Sequence, residues 1–570
     1  MQHKPATKTD RAFLQLGLTV IVLSAGLAST SAAVADDADF EPGNLLLSRV
    51  VYDNNPNNVT VGQTLPPNCV TGCVKAKFDG TYPTVFNNAP IDGSFGITSK
   101  IILDQLTPFG ERISSLEVPN SSQPGVNSNS DQMVGSFSSK SEVALNLSAD
   151  HEFVTFMGYL APIDTLDVSN SNTPFVFDST NPVPSSFYRL VAQVDRHGHF
   201  RFTKTDAYTG NNGRAAILND SGGKSVVYTS GNAGNGGNPQ PFGVIVGAGL
   251  QILTPSNQPL HAQPDPGQPT PVGSFNITEL GDAADKIGKD TNFRGLTVFN
   301  NVLYTTKGSG GNGVNTVYFV DTTGSNSSGN PNQCPNGTGL PASSATLPVT
   351  PIAFSAANVP TKGVFPYNMC ILKGFPTALK STTSFPFGVW FANAKTLYVA
   401  DEGNGTATFS GGTFTAAAAQ TTAGLQKWVF DSTLGEWKLA YVLTAGLNLG
   451  TPYTVTGYPT GTNAATGLPW SPATDGLRNL TGHVNHDGSV TIWAITSTVS
   501  GSGDQGADPN KLVAIIDKLE ATSLPAGETF VTLRTARFAE VLRGVSFTPG
   551  TGRDDDDGRH ADNEHFGDDH

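Results

Sequence analysis

Apolar residues recur along this chain in short runs, bounded by clusters of Gly, Asn, Asp, Ser and Pro. Such runs between turn residues predict β-strands joined by hairpins. The runs also repeat. Phe293 opens FRGLTVFNNVLYTTKGS, Phe385 opens FPFGVWFANAKTLYVADEG, and Leu477 opens LRNLTGHVNHDGSVTIWAITS. Looser copies are SEVALNLSADHEFVTFMGY from Ser141 and GRAAILNDSGGKSVVYTSG from Gly213. Each is a strand, a turn (NN, NAK, NHDG, SADH, NDSGG) and a second strand; the turn residues tolerate positive φ. A further hairpin-like pair follows, as in YRLVAQVDRHGHFRFTKTD from Tyr188 and GLQKWVFDSTLGEWKLAYVL from Gly424. Another is KLVAIIDKLEATS from Lys511 with the following TFVTLRTARF. Two hairpins make a four-stranded antiparallel unit, with strands A to D.

Five complete units start near residues 141, 213, 293, 386 and 477. Their spacing exceeds the roughly 40–50 residues of a minimal propeller blade. The excess lies in Gly/Ser/Asn/Pro loops, with long B-to-C insertions at about 54–99, 161–186 and 402–423. Two terminal fragments remain. VLRGVSFTPG from Val541 matches strand A alone. GNLLLSRVVYDN from Gly43, then KIILDQLTPFGERISSLEVP from Lys100, match strands B, C and D. Together they complete a sixth unit, and such closure leaves no free sheet edge. The expected fold is an all-β, six-bladed β-propeller of four-stranded antiparallel blades. It closes by sharing one blade between the N- and C-terminal strands, near Asn44–Tyr52 and Val541–Pro549.

Composition supports this. Charged residues are 14% of the 570, against roughly 25% for an average soluble protein. Gly numbers 63 and Pro 38, and the 38% hydrophobic content can bury a large core. A helical bundle or coiled coil would need far more Glu, Lys, Leu and Ala. The net charge of −14 argues against nucleic-acid binding, because few cations face the phosphates.

Lys4, Lys8 and Arg11 precede an apolar stretch from Phe13 to Leu27, then Ala33-Val34-Ala35. That is the pattern of a cleaved signal peptide over residues 1–35, too short in its apolar part for a membrane anchor. Cleavage removes three bases and one acid, taking −14 to −16. The mature chain, a propeller over 36–550, is then secreted or periplasmic and not membrane-embedded. Residues 551–570 form an acidic, histidine-bearing tail (His560, His565, His570) with almost no apolar residue, expected to be disordered. It reads as solubilising, with weak divalent-metal capture as the alternative. Four cysteines in an exported chain suggest two disulfides. Nearest-neighbour pairing, Cys69–Cys73 and Cys334–Cys370, is the simplest of three connectivities; a zinc site is the alternative.

TLYVADEGNG at Thr396–Gly405 and GLQKWVFD at Gly424–Asp431 resemble the LYVAD-x-GN…I-x-x-F strands of NHL repeats. By these segments the chain resembles the six-bladed propellers of the NHL-repeat and SMP-30/gluconolactonase-like group. The likeness supports the architecture and says little of activity, because propellers host unrelated functions. Its lactonase branch implies a divalent metal held in the channel by carboxylate and amide side chains. Here the equivalent positions, at the start of strand A, are Arg214, Arg294, Arg478 and Arg543, with Glu142 and Phe387 completing the ring. Arginine repels a metal, so no catalytic residue is carried over.

Two readings of the arginines stand. They tie neighbouring blades, or they form a positive collar for a carboxylate or phosphate ligand at the channel mouth. Asp401, Glu402 and Asn404 fall in the B-to-C turn of the fifth blade. Asp401 and Glu402 could bind Ca²⁺ or another divalent metal; a solvated turn is the plainer reading. His197, His199, His483 and His486 fall in turns and read as turn residues. No G-x-S-x-G, H-E-x-x-H or P-loop pattern occurs.

Two functions follow. The first is a secreted binding propeller for an extracellular ligand, anionic or carbohydrate-derived, or for a protein partner, acting as a monomer. The second is a channel-site hydrolase or lactonase.

Overall fold

The computed structural model describes residues 39–552, apart from 56, 61, 66–72, 77–95, 138–140, 175–182, 206, 221–222, 224, 233–248, 256–261, 264–274, 280–281, 284–291, 309–313, 324–337, 350–366, 379–382, 465 and 503–505. Residues 1–35, read above as a signal peptide, and the tail from 553 lie outside the described residues, as do Cys69 and Cys334.

Six antiparallel blades form a β-propeller. In blade 1 the strand order is Glu540–Phe547, Leu45–Val51, Thr98–Leu106 and Arg112–Glu117. The last strand of the chain therefore pairs with the first, from Leu45↔Phe547 to Val51↔Glu540. Arg49 fastens this closure: Nη1 lies 2.8 Å from Glu540 Oε1 and Nε 2.8 Å from Asp104 Oδ2. The fragments at the two ends of the sequence are thus one blade, as their patterns require.

Blades 5 and 6 follow the A-to-D plan. Blade 5 comprises Pro386–Asn393, Thr396–Asp401, Gly424–Asp431 and Glu436–Leu443. Blade 6 comprises Ala473–Val484, Ser489–Val499, Lys511–Lys518 and Val531–Thr535. Blade 4 runs Phe293–Phe299, Val302–Lys307, Thr316–Asp321 and Tyr367–Ile371. It gains Phe275–Glu279 outside its last strand, in parallel. Blade 3 shows Gly213–Asn219, Val226–Gly231 and Leu250–Leu253 among the described residues.

Blade 2 departs from its sequence copy. Strand A is reduced to Asn146–Leu147, ahead of Phe153–Tyr159, Arg189–Asp195 and Phe200–Thr205. Val143 sits at φ 59°, a region that β-branched residues avoid, so the chain turns where the copy predicts an extended strand.

Burial explains the sequence pattern. The second strands are covered on both faces by neighbouring blades: every residue of Thr396–Asp401, Val302–Lys307 and Val226–Gly231 is buried. The outermost strand Arg112–Glu117 has no buried residue, half of it is exposed, and it is largely polar. Aromatic side chains fill the wedges between blades 4 and 5, with Phe299 stacked on Phe391 at 4.6 Å and Phe375 on Trp428 at 3.9 Å. Between blades 5 and 6 lies a fully buried pair, Lys427 Nζ 2.9 Å from Asp517 Oδ2.

Glycine sets how closely the inner strands converge. A Cβ on Gly295 would meet Phe387 O at 2.3 Å, and one on Gly388 would meet Arg478 O at 2.6 Å. The small residue after Arg294 and after Phe387 is there because a neighbouring backbone occupies the space of a side chain.

Candidate functional site

Five of the six collar positions, all but Glu142, share one backbone device. In blade 3 the A-to-B ladder passes from Gly213 to Ala215 and omits Arg214. In blade 4 it omits Arg294 and Gly295, in blade 5 Phe387, and in blade 6 Arg478 and Asn479. In blade 1, Ser48 pairs with Gly544 and Arg49 with Leu542, omitting Arg543. Each is a β-bulge, which releases a side chain from strict alternation and re-aims it. The ladders thus show why one residue type recurs at one ring position.

The arginines are only 4–5% exposed, and each reaches toward other blades. Arg294 Nη2 lies 3.3 Å from Glu402 Oε1, and its Nη1 donates to Ser141 Oγ at the start of blade 2. Its guanidinium also sits 5.6 Å over the Phe387 ring. Arg478 Nε approaches the other oxygen of Glu402 at 3.2 Å. Arg214 donates to Phe293 O at 2.9 Å and to the Asn292 side chain. Arg543 donates to the carbonyls of Ser136 and Gly506, at 3.3 and 3.2 Å, and to that of Phe137. Glu142 turns toward blade 1, accepting from Ser136 N at 2.8 Å and from the Tyr159 hydroxyl.

The structure thus brings Arg294, Arg478, Phe387 and Glu402 into one cluster with Ser141. Arg214, Arg543 and Glu142 tie other seams of the ring. Asp401 and Glu402, adjacent in sequence, go to separate partners. Asp401 Oδ2 accepts from Phe385 N at 2.8 Å, Gln426 Nε2 at 3.0 Å and Ser384 Oγ at 3.1 Å, while Oδ1 accepts from Gly403 N at 3.0 Å. Burial pushes Asp401 up to about 7, against the pull of these donors. Among the described residues no group of three or more His, Cys, Asp or Glu is placed to hold a metal ion.

The sequence reading missed two members of this region. Asp475 accepts from Gly405 N at 2.8 Å and from the Gln420 amide, pinning the loop after Glu402 to blade 6. Burial pushes it up to about 6. Arg189, fully buried at the start of a strand, donates to the carbonyls of Asn211, Phe187 and Ser171 and lies 5.2 Å over Tyr159. Its signal is a charged residue at the head of the apolar run YRLVAQV.

His197, His199 and His486 lie at turns, as read, whereas His483 lies in the strand Ala473–Val484, paired with Thr491. His197 Nδ1 contacts Asp39 at 2.8 Å and His199 Nδ1 contacts Asp195 at 3.2 Å, both exposed. Neither Cys73 nor Cys370 is a free thiol. No helix among the described residues is long and apolar enough to cross a membrane.

No family model matches the chain, and no curated protein does. Among solved structures it is similar to the PQQ-bound aldose sugar dehydrogenase from Streptomyces coelicolor, with 12% identity over 84% of this chain and 99% of that one, at a TM-score of 0.29. It is also similar to the hemagglutinin-neuraminidase of parainfluenza virus 5, with 10% identity over 86% and 96% of the two chains, at 0.27. Drosophila semaphorin 1a, extracellular domains 1–2, matches at 10% identity over 74% and 84%, at 0.23. Likenesses this loose carry no argument about activity. Of the resemblance to the NHL-repeat and SMP-30-like group, the six-bladed architecture is what the structure shows.

Proposed function

We propose that this is an exported, ligand-binding propeller whose channel mouth takes a small anionic ligand, a carboxylate or an acidic sugar. The observation that carries this reading is the convergence of Arg294 and Arg478, from blades 4 and 6, on the carboxylate of Glu402. Guanidinium groups held by bulges around a carboxylate are already oriented for carboxylate recognition. A ligand carboxylate at the rim of this cluster would add to it or displace Glu402. The hydrolase reading gains less support, because the nearby carboxylates Glu142, Asp401, Glu402 and Asp475 are each engaged by protein donors.

Export, cleavage before Asp36 and the pairings Cys69–Cys73 and Cys334–Cys370 belong to the same proposal. So does action as a monomer. A thermal-shift screen of phosphate, citrate and uronic acids tests the site. Selective stabilisation by one anion, about 2.7 kcal/mol at a hundredfold excess over Kd, should weaken in Arg478→Ala. If no anion shifts the melting temperature while Arg478→Ala lowers it in plain buffer, the collar is only a tie between blades.

A further inference from the structure

A concave site lies at the end of the blades that carries the A-to-B and C-to-D turns, at the seam between blade 6 and the closing blade. It is a cavity of about 800 Å³, within the roughly 300–1,000 Å³ of small-molecule sites. Its walls are largely apolar. Phe547 stands between Trp493, edge-on at 5.5 Å, and His483 at 6.2 Å. The Trp493 indole N–H is engaged by Pro108 O at 2.9 Å, so its ring, not its donor, serves the cavity. At the rim Phe109, Ile516 and Val531 are 83%, 60% and 52% exposed, an apolar concentration that solvent alone does not favour.

One wall is charged. Glu528 lines the cavity in the loop before the last strand of blade 6. Its Oε1 accepts from Lys518 N at 3.0 Å, and its carboxyl also hydrogen-bonds the side chain of Asp517. Behind it Asp517 already receives the Tyr441 hydroxyl at 2.7 Å, the Tyr398 hydroxyl and the Lys427 ammonium. Burial, then the adjacent Asp517, pushes Glu528 up to about 7.

We propose that this cavity binds a ring-bearing organic cation, an apolar body with a protonated amine, whose ammonium docks on the Glu528 carboxyl. The aromatic and aliphatic walls take the body, and the faces of Trp493, Phe547 and Phe109 suit a cation as well as a ring. The ammonium favours the charged form of Glu528, the carboxyl in the lining of the cavity. An anion would face the Asp517–Glu528 pair, and a chain of net charge −14 draws cations toward it. This site is independent of the channel mouth and opposite to it in charge preference.

Calorimetric titration of the full chain with phenethylammonium, 2-phenylethanol and phenylacetate, near-isosteres of positive, zero and negative charge, tests it. Phenethylammonium should bind about tenfold or more tighter than phenylacetate, with the alcohol between. Glu528→Gln should bring the three close to parity. Phe109→Lys, at a position too exposed to matter for folding, should weaken phenethylammonium by about fivefold or more through lost apolar contact and like charge. Equal or tighter binding of phenylacetate, heat from none of the three, or an unchanged order in Glu528→Gln would each overturn the proposal. Arg478→Ala should leave these affinities unchanged, which separates this site from the channel mouth.

Discussion

Arg478 of blade 6 holds one oxygen of Glu402 at 3.2 Å, while Arg294 of blade 4 holds the other at 3.3 Å. A single carboxylate from the loop after strand B of blade 5 thus keeps two cations from neighbouring blades at one point of the channel. Removing its charge leaves both guanidinium groups facing each other in a buried place. Glu402→Gln should therefore destabilise the fold by about 3 kcal/mol, measured by urea unfolding. A loss below about 0.5 kcal/mol, the scale of an exposed pair, would mean that the cluster is solvated and not a tie.

Closure makes a second prediction. Glu540–Phe547 is the inner strand of blade 1, and beyond it Gly550 N donates to His151 O at 2.7 Å. A chain ending at Ala539 loses the inner strand and exposes the edge of Leu45–Val51, so it should aggregate. A chain ending at Gly552 keeps both contacts and should remain soluble with an unchanged melting temperature. Equal solubility of the two would show that the propeller does not depend on that strand.

The inner glycines offer a test of how the blades converge. The missing Cβ of Gly295 would lie 2.3 Å from a backbone carbonyl, which cannot rotate away. Gly295→Ala should cost about 3 kcal/mol or more. Gly435, at φ 61° with open space around it, is the control, where strain alone predicts about 1 kcal/mol. Similar losses at both positions would remove steric convergence as the reason for glycine after Arg294.

Much of this architecture was legible in the sequence because a propeller repeats its hairpins. FRGLTVFNNVLYTTKGS and FPFGVWFANAKTLYVADEG predict strands that pair as Phe293–Phe299 with Val302–Lys307 and Pro386–Asn393 with Thr396–Asp401. The collar positions were legible for the same reason, as repeats of one ring site. Their partners were not. Arg294 meets Glu402 and Ser141 across more than a hundred residues, and a bulge that re-aims a side chain leaves no period in the sequence. Asp401 and Glu402 read as one acidic pair, yet adjacent strand-end residues point to different sides and take different partners. The cavity beside Trp493 was out of reach for another reason. Its walls come from residues 42–43, 108–109, 483–533 and 547–552, which only the closure of blade 1 brings together.

The last prediction concerns pH. Burial, foremost, raises Asp401 and Glu528 to about 7 and Asp475 to about 6, against about 4 for such groups in an unfolded chain. Between pH 5 and 7 the folded state therefore holds protons that the unfolded state has lost. Stability changes with pH in proportion to protons bound unfolded minus protons bound folded, which is negative here, so stability falls as pH rises. The contribution is fully present below the unfolded values and is lost as pH climbs through about 6 to 7. Asp431 and Asp487, held below the usual carboxylate range, act in the opposite sense, but only near and below about pH 4. Urea unfolding from pH 5 to 8 should show a decline of roughly 2 kcal/mol with the steepest part near pH 6.5. Asp401→Asn keeps the size of the side chain and should flatten that decline, by removing one of the titrating groups. A stability that rises across this range, or an Asp401→Asn variant with the same slope as wild type, would mean that these carboxyls stay ionised in the folded chain, held so by the four donors around Asp401.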